Sequence, residues 1–129
     1  MKQIIGAVTL VVPDYDDAIA FYVEKAGFDL IQDTQLSEDK RWVLIAPKGS
    51  SETRLLLAKA DGAAQVAAIG NQAGGRVVLF LNTDDFDRDY QAMTENGVTF
   101  LEEPRTEVYG KVAVFQDPFG NKWDLIQHF

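Results

Sequence analysis

Apolar positions along the chain fall into two runs of the same design. Residues 7–12 (Ala-Val-Thr-Leu-Val-Val) are apolar and β-branched, which predicts a strand, and Pro13 with Asp14 stops it and opens a helix. Asp14, Asp16 and Asp17 crowd the first turn, where carboxylates cap free N–H groups and suit the helix dipole. Ile19, Tyr22, Val23 and Ala26 recur at helical spacing, and Gly27 suits the C-terminal cap. Strands follow near 28–34, 40–47 and 53–59. The plan then restarts with a strand over 76–82, acids at Asp84, Asp85 and Asp87, a Phe86, Tyr90, Met93 stripe and Gly97. Strands near 98–102, 108–116 and 121–127 complete it.

A shift of 70 residues superposes Val8 on Val78, Leu10 on Phe80, Asp14 on Asp84, Asp17 on Asp87 and Gly27 on Gly97. Without a gap it also carries Arg41 onto Lys111, Leu44 onto Val114 and Leu55 onto Leu125. Few of these are identities, so hydrophobic pattern and turn position carry the repeat. Residues 60–75, rich in Ala and Gly, fall outside it and read as a linker with a short helix around Ala63–Ile69. The expectation is one domain, 1–129, of two modules, 1–59 and 76–129. Its class is α+β: two tandem βαβββ modules forming a curved mixed sheet, with helices on the convex face and a ligand on the concave one.

Composition removes several functions. The 129 residues include 12 Lys and Arg against 20 Asp and Glu, a net charge of −8, which disfavours a nucleic-acid partner. There is no cysteine, which excludes thiol nucleophiles, disulfides and Cys-ligated metals. The single histidine, His128, excludes any one-chain site that needs two imidazoles. The opening residues lack the regions of a signal peptide and no apolar run approaches a membrane span, so the expected compartment is the cytoplasm and no membrane partner is expected.

The duplicated unit, the opening Val8-x-Leu10-x-Val12-x-Asp14 with Ala20-Phe21-Tyr22 and Ala26-Gly27-Phe28, and the closing Phe115-x-Asp117-Pro118-Phe119-Gly120-Asn121 resemble the vicinal oxygen chelate superfamily. That family includes glyoxalases, bleomycin-resistance proteins and extradiol dioxygenases. Apart from the resemblance, Asp-Pro-Phe-Gly-Asn is a good turn between two strands. The resemblance implies a homodimer, and, in metal-dependent members, one ligand from the first and one from the last strand of each module. Those positions fall on Ala7, Val77, Arg54 and Asp124. Three of the four cannot bind a cation, so no metal and no other cofactor is expected.

Arg54 and Asp124 are therefore the candidate catalytic pair, with two readings open: a structural ion pair joining the modules, or an anion anchor beside a carboxylate that orients a ligand or accepts a proton. The candidate ligand-binding residues are Ala7, Thr9, Trp42, Leu56, Val77, Leu79 and Tyr109, with Val11, Leu81 and Ile126 completing the concavity. Tyr109 leads the aromatic set Trp42, Phe80, Phe115, Phe119 and Trp123. Asp85, Asp87 and Asp89 have the start of a calcium-loop spacing, but Tyr90 and Asn96 stand where Gly and Glu are required, so they read as helix-start acids. His128 reads as a solvated chain end, and no phosphate-loop pattern follows Gly74-Gly75.

Three functions are consistent with this sequence. The first is a metal-free binding protein for a small apolar or aromatic molecule, which could carry an anionic group. The second is a glyoxalase-like lyase or isomerase acting on a vicinal carbonyl substrate, with Arg54 stabilising an enolate. The third is an interaction or regulatory partner.

Overall fold

The computed structural model describes all residues, Met1–Phe129, as two compact units, Met1–Ile69 and Gly70–Phe129. The division falls inside the stretch expected to be a linker. In the first unit, β1 (Ala7–Val12) leads into α1 (Tyr15–Ile19), which continues as a π-helical segment, Ala20–Lys25. β2 (Asp29–Gln35), β3 (Arg41–Ala46), β4 (Arg54–Lys59) and a short α2 (Ala63–Ala68) follow. The sheet order is β1-β4-β3-β2, with β1 parallel to β4 and the other pairs antiparallel.

One face of this sheet is sealed. Leu10 and Val12 on β1, Val43 and Ile45 on β3, and Leu55 and Leu57 on β4 are buried together with Ala18, Phe21 and Tyr22 of the helix. Each large aliphatic side chain buried in this way contributes roughly 1.5–3 kcal/mol. Asp14 caps the helix by accepting from the Asp17 N–H at 3.0 Å, as the acidic first turn suggested. The buried stripe is Tyr15, Ala18, Phe21 and Tyr22, whereas helical spacing predicted Ile19, Tyr22, Val23 and Ala26. Ala26 N–H donates to the Phe21 carbonyl five residues back, so the residues after Phe21 fall out of α-helical phase, and Val23 and Ala26 are not among the buried ones.

The second unit holds β5 (Leu79–Asn82), α3 (Phe86–Glu95), β6 (Thr99–Phe100), β7 (Arg105–Glu107), β8 (Gly110–Gln116) and β9 (Lys122–His128). Its sheet order is β5-β9-β8-β6, β7 also pairs with β8, and β5 runs parallel to β9. The helix packs through a run of rings, Phe86, Tyr90, Phe100, Phe115 and Trp123, with successive centroids 4.5–5.7 Å apart. The β7 strand was not expected. The Asp117–Asn121 turn is held by its own carboxylate, for Asp117 accepts from Phe119 N, Asn121 N and Asn121 Nδ2 at 2.7–2.9 Å. No helix is long and apolar enough to cross a membrane.

The repeat register also changes. Asp85, not Asp84, caps α3 as Asp14 caps α1. Inward-facing Leu10 and Leu81 each lie four residues before their cap, and they pair with Leu57 and Leu125. Thr9 opposite Leu56 is therefore matched by Phe80 opposite Asp124, and Ala7 by Val78. An ungapped shift misses this because the two units are offset by 71 residues from first strand to helix cap, Leu10 to Leu81 and Asp14 to Asp85, but by 68 at the last strand, Leu57 to Leu125.

Candidate functional site

The unsealed face of the first sheet collects most of the residues of interest. Thr9 lies opposite Leu56, Leu56 opposite Leu44, and Ala7 opposite Arg54. Directly paired residues and their i+2 neighbours share a face, so Ala7, Thr9, Trp42, Leu44, Arg54 and Leu56 all project to this side. Trp42, near the start of β3, is 38% exposed, unusual for a large ring on a paired strand. Over this face lies a cavity of about 720 Å³ whose walls include Thr9, Tyr15, Trp42 and Leu56. Lys40, Lys59, Asp39, Asp61 and Gln65 form its polar side. Ala7 and Arg54 share the face but lie outside the cavity lining.

Arg41 braces one wall. It pairs with Asp33 at 2.6 Å and Asp16 at 2.9 Å, and its guanidinium lies 5.2 Å from the Tyr15 ring centre. Its backbone N–H donates to the Tyr15 hydroxyl at 3.2 Å. Hydrogen bonds from Arg41, helped by its charge and opposed by burial, hold the Asp33 carboxyl below its usual range. Tyr15, Lys59 and Gln65 had no distinguishing signal in the sequence, and only the folded unit brings the start of α1, the end of β4 and α2 to one cavity.

The second unit disposes its candidates differently. Asp124 faces outward between Phe80 on β5 and Val114 on β8, and Phe80 is 65% exposed. Asp124 Oδ1 is buried without a hydrogen-bond partner. Burial pushes its carboxyl above the usual range; the Arg105 charge lowers it in part and the Glu102 charge raises it again. Arg105 is itself held by Glu102 at 2.9 Å and Glu107 at 2.7 Å, with the Tyr109 hydroxyl at 3.5 Å. Tyr109 is half exposed in the turn between β7 and β8.

Several expectations are corrected here. Leu79 and Leu81 pair with Trp123 and Leu125, so they turn toward the aromatic core under α3 and not to an open face. Val77 precedes β5 and has no strand partner. Arg54 Nη1 donates to the Glu52 carbonyl at 2.6 Å, which engages one of its guanidinium nitrogens. The acids at the start of α3 have structural duties: Asp85 caps the helix, Asp87 pairs with Lys111 at 2.6 Å, and Asp89 pairs with Arg88 at 3.0 Å.

A profile of the Glyoxalase/Bleomycin resistance protein/Dioxygenase superfamily matches residues 4–125. The chain belongs to this superfamily. An uncharacterized protein of Shewanella frigidimarina is 58% identical over 128 residues, covering 98% of this chain and 95% of its own length. Among solved structures, UcmS2 superposes with a TM-score of 0.84 at 32% identity, with 98% of each chain covered. TnmS3, an antibiotic binding protein from Streptomyces sp. CB03234, superposes at 0.77 with 33% identity, covering 100% of this chain and 98% of its own.

In metal-dependent superfamily members a divalent ion needs several oxygen or nitrogen donors. By the corrected register, the first-strand places are Ala7 and Val78, and the last-strand places are Arg54 and Lys122 or Leu56 and Asp124. Only one of these side chains, Asp124, is a metal donor, and no group of three or more His, Cys, Asp or Glu is placed to hold an ion.

Proposed function

We propose that this superfamily member is a binding protein for a small apolar or aromatic molecule, held on the open face of the first sheet. The observation that carries the reading is the cavity of about 720 Å³ over Thr9, Leu56 and a half-exposed Trp42. Its size is that of a small-molecule pocket, roughly 300–1,000 Å³, and Tyr15, Trp42, Leu56 and Leu57 supply apolar and aromatic surface beside a charged rim. The similarity to TnmS3, which binds an antibiotic, supports the same class of ligand. Arg54 stands on the same sheet face with its guanidinium anchored by one backbone carbonyl, which leaves donors for an anionic substituent of the ligand. The protein acts as a homodimer in the cytoplasm in this account.

Calorimetric titration with 1-anilinonaphthalene-8-sulfonate, an aromatic body with one anionic group, tests the reading. One site per chain is expected, weakened about tenfold or more in Leu56→Asp, because a carboxylate on the floor would have to be desolvated. Equal affinity in the variant would remove the cavity as the binding site.

A second reading, a glyoxalase-like lyase or isomerase, draws on Asp124. Its carboxylate has no hydrogen bond to Oδ1 and its proton affinity is raised by burial, as suits a general base. Turnover of the methylglyoxal–glutathione adduct that disappears in Asp124→Asn would favour it; no turnover in wild type would set it aside.

A further inference from the structure

The second unit contains a separate small cavity that the ligand site does not use. Its volume is about 160 Å³, and it lies between the 70–76 loop and the turn leading into β9. Two successive turns, Gly74 N–H to the Asn71 carbonyl and Arg76 N–H to the Ala73 carbonyl, shape the loop. The loop backbone is driven close to the turn: a Cβ on Gly70 would sit 2.0 Å from the Phe119 carbonyl oxygen, and Gly70 has φ +69°. The cavity walls are therefore built by a backbone contact that only glycine allows.

Its charge is opposite to that of the chain. Against 20 acidic and 12 basic residues overall, the lining includes Arg76 and Lys122 and no Asp or Glu. The cations come from opposite walls, Arg76 from the loop and Lys122 from β9, and Lys122 Nζ reaches over to the Gly75 carbonyl at 3.4 Å. Arg76 is exposed and enters no ion pair. The Asp117 carboxylate in the adjoining turn is 1% exposed and is not part of the cavity lining; its oxygens accept three hydrogen bonds inside the turn.

We infer that this cavity is a binding site for a small oxyanion of the phosphate type, received between Arg76 and Lys122. A planar guanidinium offers two parallel donors to adjacent oxygens of such a group, and the ammonium adds a point charge from the other side. The volume admits the oxyanion group itself, and the cationic lining separates this site from the apolar or aromatic ligand proposed for the first unit.

Inorganic phosphate, titrated at constant ionic strength against the ¹⁵N-labelled full chain, tests the inference. Saturable shifts should appear at the backbone amides of Gly70–Arg76 and Gly120–Lys122. The double variant Arg76→Met, Lys122→Met should weaken phosphate about tenfold or more, and Arg76→Lys should retain part of the binding but lose the bidentate advantage. The unchanged remainder of the spectrum reports that each variant is folded. Linear, unsaturable shifts, shifts spread over unrelated surface amides, or undiminished affinity in the double variant would overturn the site.

Discussion

Leu56 on β4 lies directly opposite Thr9 on β1, on the face that the helix does not cover. The pair forms the floor of the first-unit cavity, and Leu44 extends the same row across β3. Because Leu56 is half buried and its neighbours Leu55 and Leu57 carry the core contacts, polar substitution at 56 should separate binding from folding. Leu57→Ala should cost about 2–5 kcal/mol of stability. Leu56→Asp should cost much less by urea denaturation while weakening an aromatic ligand. An equal loss of stability in the two variants would contradict the division of faces.

The Asp16–Arg41–Asp33 group gives a pH signature. Asp33 titrates lower in the folded chain than unfolded, so its contribution is present above the unfolded carboxyl range, near 3.8, and is lost as pH falls toward the folded value. Arg41→Met removes that contribution. Since these groups are partly solvated, the ionic part should be no more than about 1 kcal/mol. The stability difference between wild type and variant should be constant near neutrality and shrink below about pH 4. A difference that does not change with pH would assign Arg41's role to packing on Tyr15 alone.

Asp124 has the opposite sign. Its folded value lies above 3.8, so between the two values the native state binds more protons and stability falls as pH rises. Above that window the cost of the buried, unpartnered oxygen is fully present. Asp124→Asn should therefore raise the Tm at pH 7 and leave it nearly unchanged at pH 3. A lower Tm at pH 7 would show that the carboxylate is stabilising.

Gly70→Ala should destabilise the second unit by more than about 1 kcal/mol, since a methyl group at positive φ would also collide with the Phe119 carbonyl. Gly74, also at positive φ but with nothing within 4 Å of where an added Cβ would sit, isolates the conformational part of that cost. Equal Tm shifts for the two alanine variants would mean that the loop moves away from the turn freely.

Strand–helix alternation, the acidic caps and the Asp117–Asn121 turn were legible because each is set by local chemistry: period-two apolarity, side-chain acceptors near free N–H groups, and Pro, Gly and Asn in a tight turn. The π segment and β7 were not legible because neither alters the apolar pattern: the π turn is one local bond from Ala26 N–H to the Phe21 carbonyl, and β7 is the wholly polar Arg-Thr-Glu. Face assignment succeeded in the first unit, where Thr9, Trp42, Arg54 and Leu56 share a side. It failed for Leu79 because a one-residue slip of register turns a strand over, and the ungapped repeat carried such a slip. The cavity's polar side, from Lys40 to Gln65, lay outside any sequence pattern.

The most direct test of the binding account is Trp42 emission during titration with 1-anilinonaphthalene-8-sulfonate. Trp123 is buried at 3% exposure, stacked on Phe115, and Trp42 stands at the cavity wall. The account predicts saturable quenching that is largely lost in Trp42→Phe, with an affinity that falls in Leu56→Asp. Saturable binding that leaves Trp42 emission unchanged, or quenching that persists in Trp42→Phe, would contradict it.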